Sequence, residues 1–292
     1  MQLLCPQSFP DYELIDSGRF EKLERFGSYI TIRPEPQALW NRALPDKEWL
    51  KLAHVRFEAR SSSSGVWTKL KQMPDRWQIG YQKGKVRLRL RLALTSFKHV
   101  GVFPEQAVNW DYIGDSIGLL QATRPRFLNL FAYTGAASLA ACSAGAEVTH
   151  VDSVKQVVTW ANENQAHSSL NGIRWVVEDA MKFVKREVRR GSTYQGIIMD
   201  PPAYGHGAGG ESWKLEKQLN ELVGDVLQLL DPQEHFLILN TYSLGFSSLI
   251  LENLFLNQGR KLESGELYLP GRHGQKLPLG VFGRFRHLKE KA

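Results

Sequence analysis

Asn129-Leu-Phe-Ala-Tyr-Thr-Gly135, preceded by Arg126-Phe-Leu128 and followed by Ala136-Ala-Ser138, is the stretch that decides the fold. A short apolar run, a glycine turn and a small-residue helix in succession open a strand–helix unit. Gly135 removes a side chain where the backbone passes close to a ligand, and the small residues after it let the helix pack tightly on a sheet. Downstream the pattern recurs. Strands are predicted over 147–152, 173–177, 195–200 and 235–240, alternating with helices over 136–144, 154–167, 180–190, 215–230 and 247–256. Two further β segments close the chain, around Leu262–Leu269 and Gly280–Arg286. Such alternation predicts an α/β fold with a mostly parallel, Rossmann-like sheet and helices on both faces.

Four features fall at the ends of the first four predicted strands, where open α/β sheets bind ligands. The glycine turn is the first. Asp152 ends the second strand, where a carboxylate accepts hydrogen bonds from both hydroxyls of a ribose; the competing role is a cap for the helix that begins at Ser153. Glu178-Asp179-Ala180 follows the third strand, with Asp179 placed either to accept from an adenine amine or to cap the next helix. Asp200-Pro-Pro-Ala-Tyr204 follows the fourth. Pro201 and Pro202 fix φ and donate no hydrogen bond, so this loop presents stiff carbonyls beside the Asp200 carboxylate.

A dinucleotide site needs several glycines, because a pyrophosphate lies against the backbone at a helix N-terminus. Gly135 is followed by Ala136-Ala-Ser138, so that pattern is not met. S-adenosylmethionine (SAM) carries no phosphate, and one glycine suffices for it.

The first 95 residues read differently, as a smaller, mainly-β domain preceding a domain over 96–292. Val86-Arg-Leu-Arg-Leu-Arg-Leu-Ala-Leu94 alternates strictly, with Arg87, Arg89 and Arg91 on one face and Leu side chains on the other. Trp77-Gln-Ile-Gly-Tyr81 precedes it across a Gly-containing turn, predicting a hairpin. Residues 1–100 hold 18 of the 37 Lys and Arg but 10 of the 30 Asp and Glu, a balance of +8 against −1 for the remainder. This asymmetry points to a polyanionic partner for the N-terminal part, RNA foremost; a solvated basic face is the plainer alternative. Trp67, Trp77 and Tyr81 would stack on bases or form the core of this domain.

Two cysteines, Cys5 and Cys142, make neither a disulfide scaffold nor a cysteine-based zinc site, so no metal is expected. They suggest a reducing compartment, the cytoplasm by default. No run of about 18 apolar residues exists to span a membrane, and Met1–Arg25 lacks the apolar stretch of a signal peptide.

Leu128–Gly135, Val151–Asn164 and Ile198–Tyr204, taken in order, resemble the motifs of class I SAM-dependent methyltransferases. More closely they resemble the bacterial large-subunit (23S) ribosomal RNA methyltransferase family, over roughly Phe97–Arg286. The resemblance implies a seven-stranded sheet with the last strand antiparallel. It implies that Phe131, Tyr133, Thr134 and Gly135 cradle the methionine part of SAM, that Asp152 with Ser153 takes the ribose and that Asp179 and Ala180 take the adenine. Gln106 and Trp110, in the lead-in Gly101–Trp110, would close over the cofactor. Two departures stand out. Residues 1–95 do not match the RNA-binding module of known ribosomal members. The segment after the fifth strand, Asn240-Thr-Tyr-Ser243, has no cysteine for the covalent step of cytosine C5 methylation.

The acceptor implied by Asp200, Pro201, Pro202 and Tyr204 is a nitrogen, or another ring position, of a planar group such as an RNA base. Asp200 and a proline carbonyl would accept from its amine while Tyr204 stacks on the ring. Gly205–Gly210 and Trp213 read as a lid, and His206 as a candidate base. Competing readings are a small-molecule or protein methyltransferase of the same fold, or a SAM-binding interaction protein with no activity.

Overall fold

The computed structural model describes residues 1–61, 64–206, 210, 212–242, 245–256 and 261–289. After a short strand β1 (Gln2–Leu4) the chain forms β2 (Tyr12–Gly18), β3 (Glu21–Phe26), β4 (Tyr29–Pro34), α1 (Asp46–Leu52), β5 (Val55–Ala59) and β6 (Gly65–Lys69). Strands β2 to β6 make a five-stranded sheet in chain order. All its pairs are antiparallel except β4 with β5, which α1 connects. The hairpin β7 (Arg76–Lys83) and β8 (Val86–Ala93) follows.

A short 3-10 turn (Pro104–Gln106) leads into α2 (Ala107–Leu119). The strand–helix units come next: β9 (Arg126–Leu130), α3 (Ala136–Ser143), β10 (Glu147–Asp152), α4 (Lys155–His167), β11 (Ile173–Val177), α5 (Ala180–Arg189) and β12 (Gly196–Met199). A small hairpin, β13 (Tyr204–His206) with β14 (Ser212–Lys214), precedes α6 (Leu215–Leu227), β15 (His235–Thr241), α7 (Ser248–Leu254), β16 (Glu263–Pro270) and β17 (Lys276–His287).

The large sheet runs β1-β16-β17-β15-β12-β9-β10-β11. Strands β11, β10, β9, β12 and β15 are parallel, and β17 lies antiparallel between β15 and β16. The seven expected strands are all present, and β1 adds an eighth, parallel to β16. Three residues of mixed exposure at the start of the chain carry no periodicity that could have announced it. The chain winds outward from β9 to β11 and then returns to β12. The topological switch point, and so the ligand crevice, therefore lies at the carboxyl ends of β9 and β12.

Alternation along the strands fills two cores. Phe127, Val148, Ile198 and Phe236 face one side with α2 and α3. Leu128, Leu130, Val151, Ile197 and Leu239 face the other with α5, α6 and α7. The first core continues without a break into Leu88, Leu90 and Leu92 of β8 and into Trp77 and Tyr81 of β7. Burying each such leucine contributes about 1.5–3 kcal/mol. Trp77 and Tyr81 are thus core residues, while Trp67 sits half-buried, edge-on to Phe57, its indole donating to the Thr95 carbonyl at 2.7 Å. The free edge of β8 is covered by helix side chains. The N–H groups of Arg87, Arg89 and Arg91 donate to Ser143 Oγ at 3.1 Å, Ser168 Oγ at 2.9 Å and Asn164 Oδ1 at 2.8 Å. An edge satisfied in this way cannot pair with another strand.

Candidate active site

The chain leaves β9 through a contorted turn. Phe131 and Tyr133 have φ of 55° and 49°, and Gly135 has φ of 87°. A non-glycine residue in this region costs roughly 1–2 kcal/mol, so the turn must be held by other bonds. The Tyr133 N–H donates to Asp152 Oδ2 at 2.9 Å. Thr134 is pinned on both sides: its hydroxyl donates to the Gly101 carbonyl at 2.7 Å, and its carbonyl accepts from Asn164 at 3.0 Å. A Cβ at Gly135 would lie 2.9 Å from the Ala161 Cβ. Glycine is required there by helix α4 as well as by the backbone angle.

Asp152 is half-buried with both oxygens engaged, the second accepting the Val154 N–H at 2.9 Å. Burial raises its pKa, and the two N–H groups work against that rise. Each carboxylate oxygen has two acceptor sites, so one remains on each for a ribose hydroxyl. Capping and ribose binding, alternatives in the sequence, are compatible here. Ser153 lies half-buried beside it. Asp179 caps α5, accepting the Lys182 N–H at 3.0 Å, with the buried Ala180 opening the helix.

Asp200 stands at the end of β12 between two amides. Gln106 Nε2 donates to Oδ2 at 3.3 Å and Asn240 Nδ2 to Oδ1 at 3.1 Å. Gln106 is itself oriented by Asn109, which donates to its Oε1 at 2.7 Å. Burial pushes the Asp200 carboxyl up to about 6, while Asn240 pulls it down. Neighbouring Glu105, also buried, is pushed up to about 7 by burial, with Asp200 adding to the rise. Pro201 is buried and Pro202 exposed. The Pro202 carbonyl accepts the Trp213 indole at 2.6 Å, and the Trp213 ring packs 5.0 Å from Phe131. The glycine turn after β9 and the Asp-Pro-Pro loop are thereby fastened together. Tyr204 in β13 is 54% exposed.

The structure gathers Phe131, Tyr133, Thr134, Gly135 and Asp152 with Gln106, Asp200, Pro201 and Pro202 into one connected network. Trp110 does not join it. Its ring is 1% exposed and packs edge-on to Phe9 and Tyr81 at 5.9 and 5.1 Å, so it belongs to the core beneath β7. The expected lid is in part a β-hairpin, with Trp213 buried as its anchor. Residues 207–209 and the His206 side chain lie outside the described residues, as does Ser243. Glu105, Asn109 and Asn240 went unassigned in the sequence. Glu105 and Asn109 flank Gln106 in the lead-in, and Asn240 ends the fifth strand. Cys142 sits in the last turn of α3, its thiol donating to the Asn171 carbonyl at 3.3 Å. It is at the opposite end of that helix from Gly135.

A switch-point crevice with a strained glycine turn, an acidic strand end with free acceptor sites, and an Asp-Pro-Pro loop defines a class I SAM-dependent methyltransferase. The crystal structure of the SAM-dependent methyltransferase from Agrobacterium tumefaciens is 38% identical, with a TM-score of 0.91, covering 98% of this chain and 93% of that one. The chain belongs to the SAM-dependent methyltransferases, and SAM is its cofactor. The fold is shared with SMU.776, solved in complex with SAH, at 18% identity and a TM-score of 0.73, covering 94% of this chain and 75% of that one. A family model described as conserved hypothetical protein 95 matches residues 113–227. Among curated proteins, the ribosomal RNA large subunit methyltransferase K/L of Shewanella frigidimarina is 31% identical over 249 residues, 78% of this chain and 34% of that protein. Its counterpart from Magnetococcus marinus is 31% identical over 152 residues, 50% of this chain and 20% of that protein. The chain thus spans about a third or less of the curated relatives it matches.

Proposed function

We propose that the protein transfers the methyl group of SAM to a nitrogen, or another ring position, of an RNA base, with ribosomal RNA as the substrate. The observation that carries this reading is the Asp200 carboxylate, fixed by Gln106 and Asn240 beside the exposed Pro202 and Tyr204. When bound, SAM supplies an electrophilic methyl on a sulfonium, and the transfer is an in-line displacement. What the protein adds is alignment, with the acceptor held about 3 Å from the methyl carbon. Asp200 accepts from the amine and turns its lone pair toward the methyl, and Tyr204 stacks on the ring, a contact worth ~1–3 kcal/mol.

In this reading Phe131, Tyr133, Thr134 and Gly135 hold the methionine part, Asp152 and Ser153 the ribose, and Asp179 and Ala180 the adenine. Residues 1–95 select the RNA and residues 96–292 carry out the transfer. Support for RNA comes from the curated relatives' names and from β8, whose Arg87 and Arg89 side chains point outward and exposed. Arg91 is withdrawn from that face by Glu163 at 2.8 Å and by the Trp160 ring at 4.3 Å. No helix among the described residues is long and apolar enough to cross a membrane, and a cytoplasmic site of action fits an RNA substrate.

The test is transfer of labelled methyl from SAM to total RNA, a protein extract and a small-molecule fraction, with the label mapped afterwards. Label in RNA, on a base nitrogen or ring atom, is expected. Label confined to protein or small molecules would overturn the RNA reading and leave the SAM site standing.

A further inference from the structure

We propose that Glu35 and Tyr242 are positioning residues for methyl transfer, their hydrogen bond setting the Asp200-Pro-Pro-Ala-Tyr204 loop against the N-terminal five-stranded sheet. The proposal rests on the reading above that this loop receives the acceptor.

Although 207 residues apart in sequence, Tyr242 and Glu35 meet, the phenol donating to Glu35 Oε1 at 2.6 Å. Glu35 follows β4 and is 3% exposed. Its other oxygen pairs with Lys22 Nζ at 3.2 Å, and Lys22 also lies 3.6 Å from Glu24 Oε1. Glu24 is held in turn by Arg33 at 2.7 Å and by the Tyr12 phenol at 2.9 Å. Arg33, Glu24, Lys22 and Glu35 thus form a buried chain of alternating charge that runs through the N-terminal sheet and ends on Tyr242. Burial pushes the Glu35 carboxyl up, but Lys22 and the Tyr242 phenol outweigh it, and the group stays ionised below its ordinary range.

On its other side Tyr242 belongs to the catalytic domain. It follows β15, whose Asn240 donates to Asp200, and its backbone forms a parallel bridge with Pro202. A displacement of Tyr242 therefore moves both the amide on Asp200 and the proline beside it. Buried ion pairs add little net stability compared with apolar packing of similar volume. A fully bonded network does impose one geometry. Here that geometry is the distance between the sheet assigned to RNA and the loop assigned to the base, and in-line transfer is sensitive to such placement.

Tyr242→Phe removes one hydroxyl and leaves Glu35 paired with Lys22. Glu35→Leu removes the acceptor, and the double variant closes a mutant cycle. Three measurements are made on the full chain: SAM affinity by calorimetry, amide exchange of the peptide 200–206, and single-turnover methyl transfer to total RNA. Tyr242→Phe is expected to slow transfer about 10- to 100-fold. It should keep SAM affinity within about twofold and speed exchange at Ala203 and Tyr204. The double variant should be no slower than the slower single one. Unchanged exchange in 200–206, additive losses, or a matching loss of SAM affinity would each overturn the proposal. Exchange needs no substrate, so it decides the point even where wild type labels no RNA, an outcome that would instead remove the RNA reading. Should Glu35→Leu fail to fold, Tyr242→Phe alone settles the matter through exchange and rate.

Discussion

Asp152 Oδ2 accepts the backbone N–H of Tyr133 at 2.9 Å, joining the end of β10 to the strained turn after β9. One carboxylate therefore shapes the glycine turn and, in the proposed reading, also takes the ribose. Replacing it by asparagine sets an amide NH2 against a backbone donor, and an unsatisfied buried group costs about 1–3 kcal/mol. Asp152→Asn is expected to weaken SAM binding at least about tenfold, and Asp152→Ala to abolish it. Calorimetric titration with SAM checks both, and unaltered affinity in Asp152→Asn would remove Asp152 from the cofactor site.

Gly135 and Gly145 separate two demands on glycine. Both have positive φ, 87° and 103°, but a Cβ at Gly135 meets Ala161 at 2.9 Å while one at Gly145 meets nothing within 4 Å. Gly145→Ala should cost only the backbone strain of about 1 kcal/mol. Gly135→Ala should cost about 1–3 kcal/mol more, through overpacking against α4, and should weaken SAM binding as well. Urea unfolding of the two variants gives the difference; equal losses would mean that α4 yields freely.

Much of this was legible in the sequence because each strand-end feature is local. The glycine turn, Asp152 and the Asp-Pro-Pro loop each follow an apolar run whose length fixes the strand, and the strand order then brings them together. The alternation of Val86 to Leu92 located a buried ribbon for the same reason. What escaped was long-range. Nothing near Trp110 tells that Phe9 and Tyr81 enclose it. Nothing in Asn240 announces that it faces Asp200, because polar pairs distant in sequence leave no periodic trace. Strand β1 was missed because three residues give no pattern and its partner, β16, begins some 260 residues later.

Protonation turns one Asp200 oxygen from acceptor into donor and removes the charge that makes it a strong acceptor for an amine, and burial raises its pKa to about 6. Transfer should therefore fall as the pH drops through about 6, with SAM affinity much less affected. Asp200→Ala should keep SAM bound and lower transfer at least about 100-fold, since alignment of the acceptor is lost. Rate measurements between pH 5 and 8, paired with SAM titrations, check the division of roles. A parallel loss of cofactor binding in Asp200→Ala would break it.

Arg87 and Arg89 project from alternate positions of β8, about 6.8 Å apart on one exposed face. If they neutralise RNA phosphates, each contact releases counterions, and the logarithm of affinity falls linearly with the logarithm of salt. The double change Arg87→Ala with Arg89→Ala should weaken RNA binding at low salt and make that slope shallower by about 1 to 2. Filter binding of total RNA across a salt series measures this. An unchanged slope would locate the RNA surface elsewhere.

Glu105 gives a prediction about stability. Its folded pKa, raised by burial to about 7 from an ordinary 4.5, means that the folded protein holds this proton more tightly than the unfolded chain. The stability linked to that proton is fully present below the ordinary value and is lost as the pH rises through about 7. Asp200 acts with the same sign over a lower range, from 3.8 to about 6. Glutamine mimics the protonated acid, so Glu105→Gln should match wild type near pH 5 and exceed it at pH 8, by on the order of 2–3 kcal/mol at most. Urea unfolding at the two pH values checks the sign. If wild type proved the more stable at pH 8, the Glu105 carboxylate would have to be stabilised by a cationic partner such as Lys22, whose charge already pulls its pKa downward.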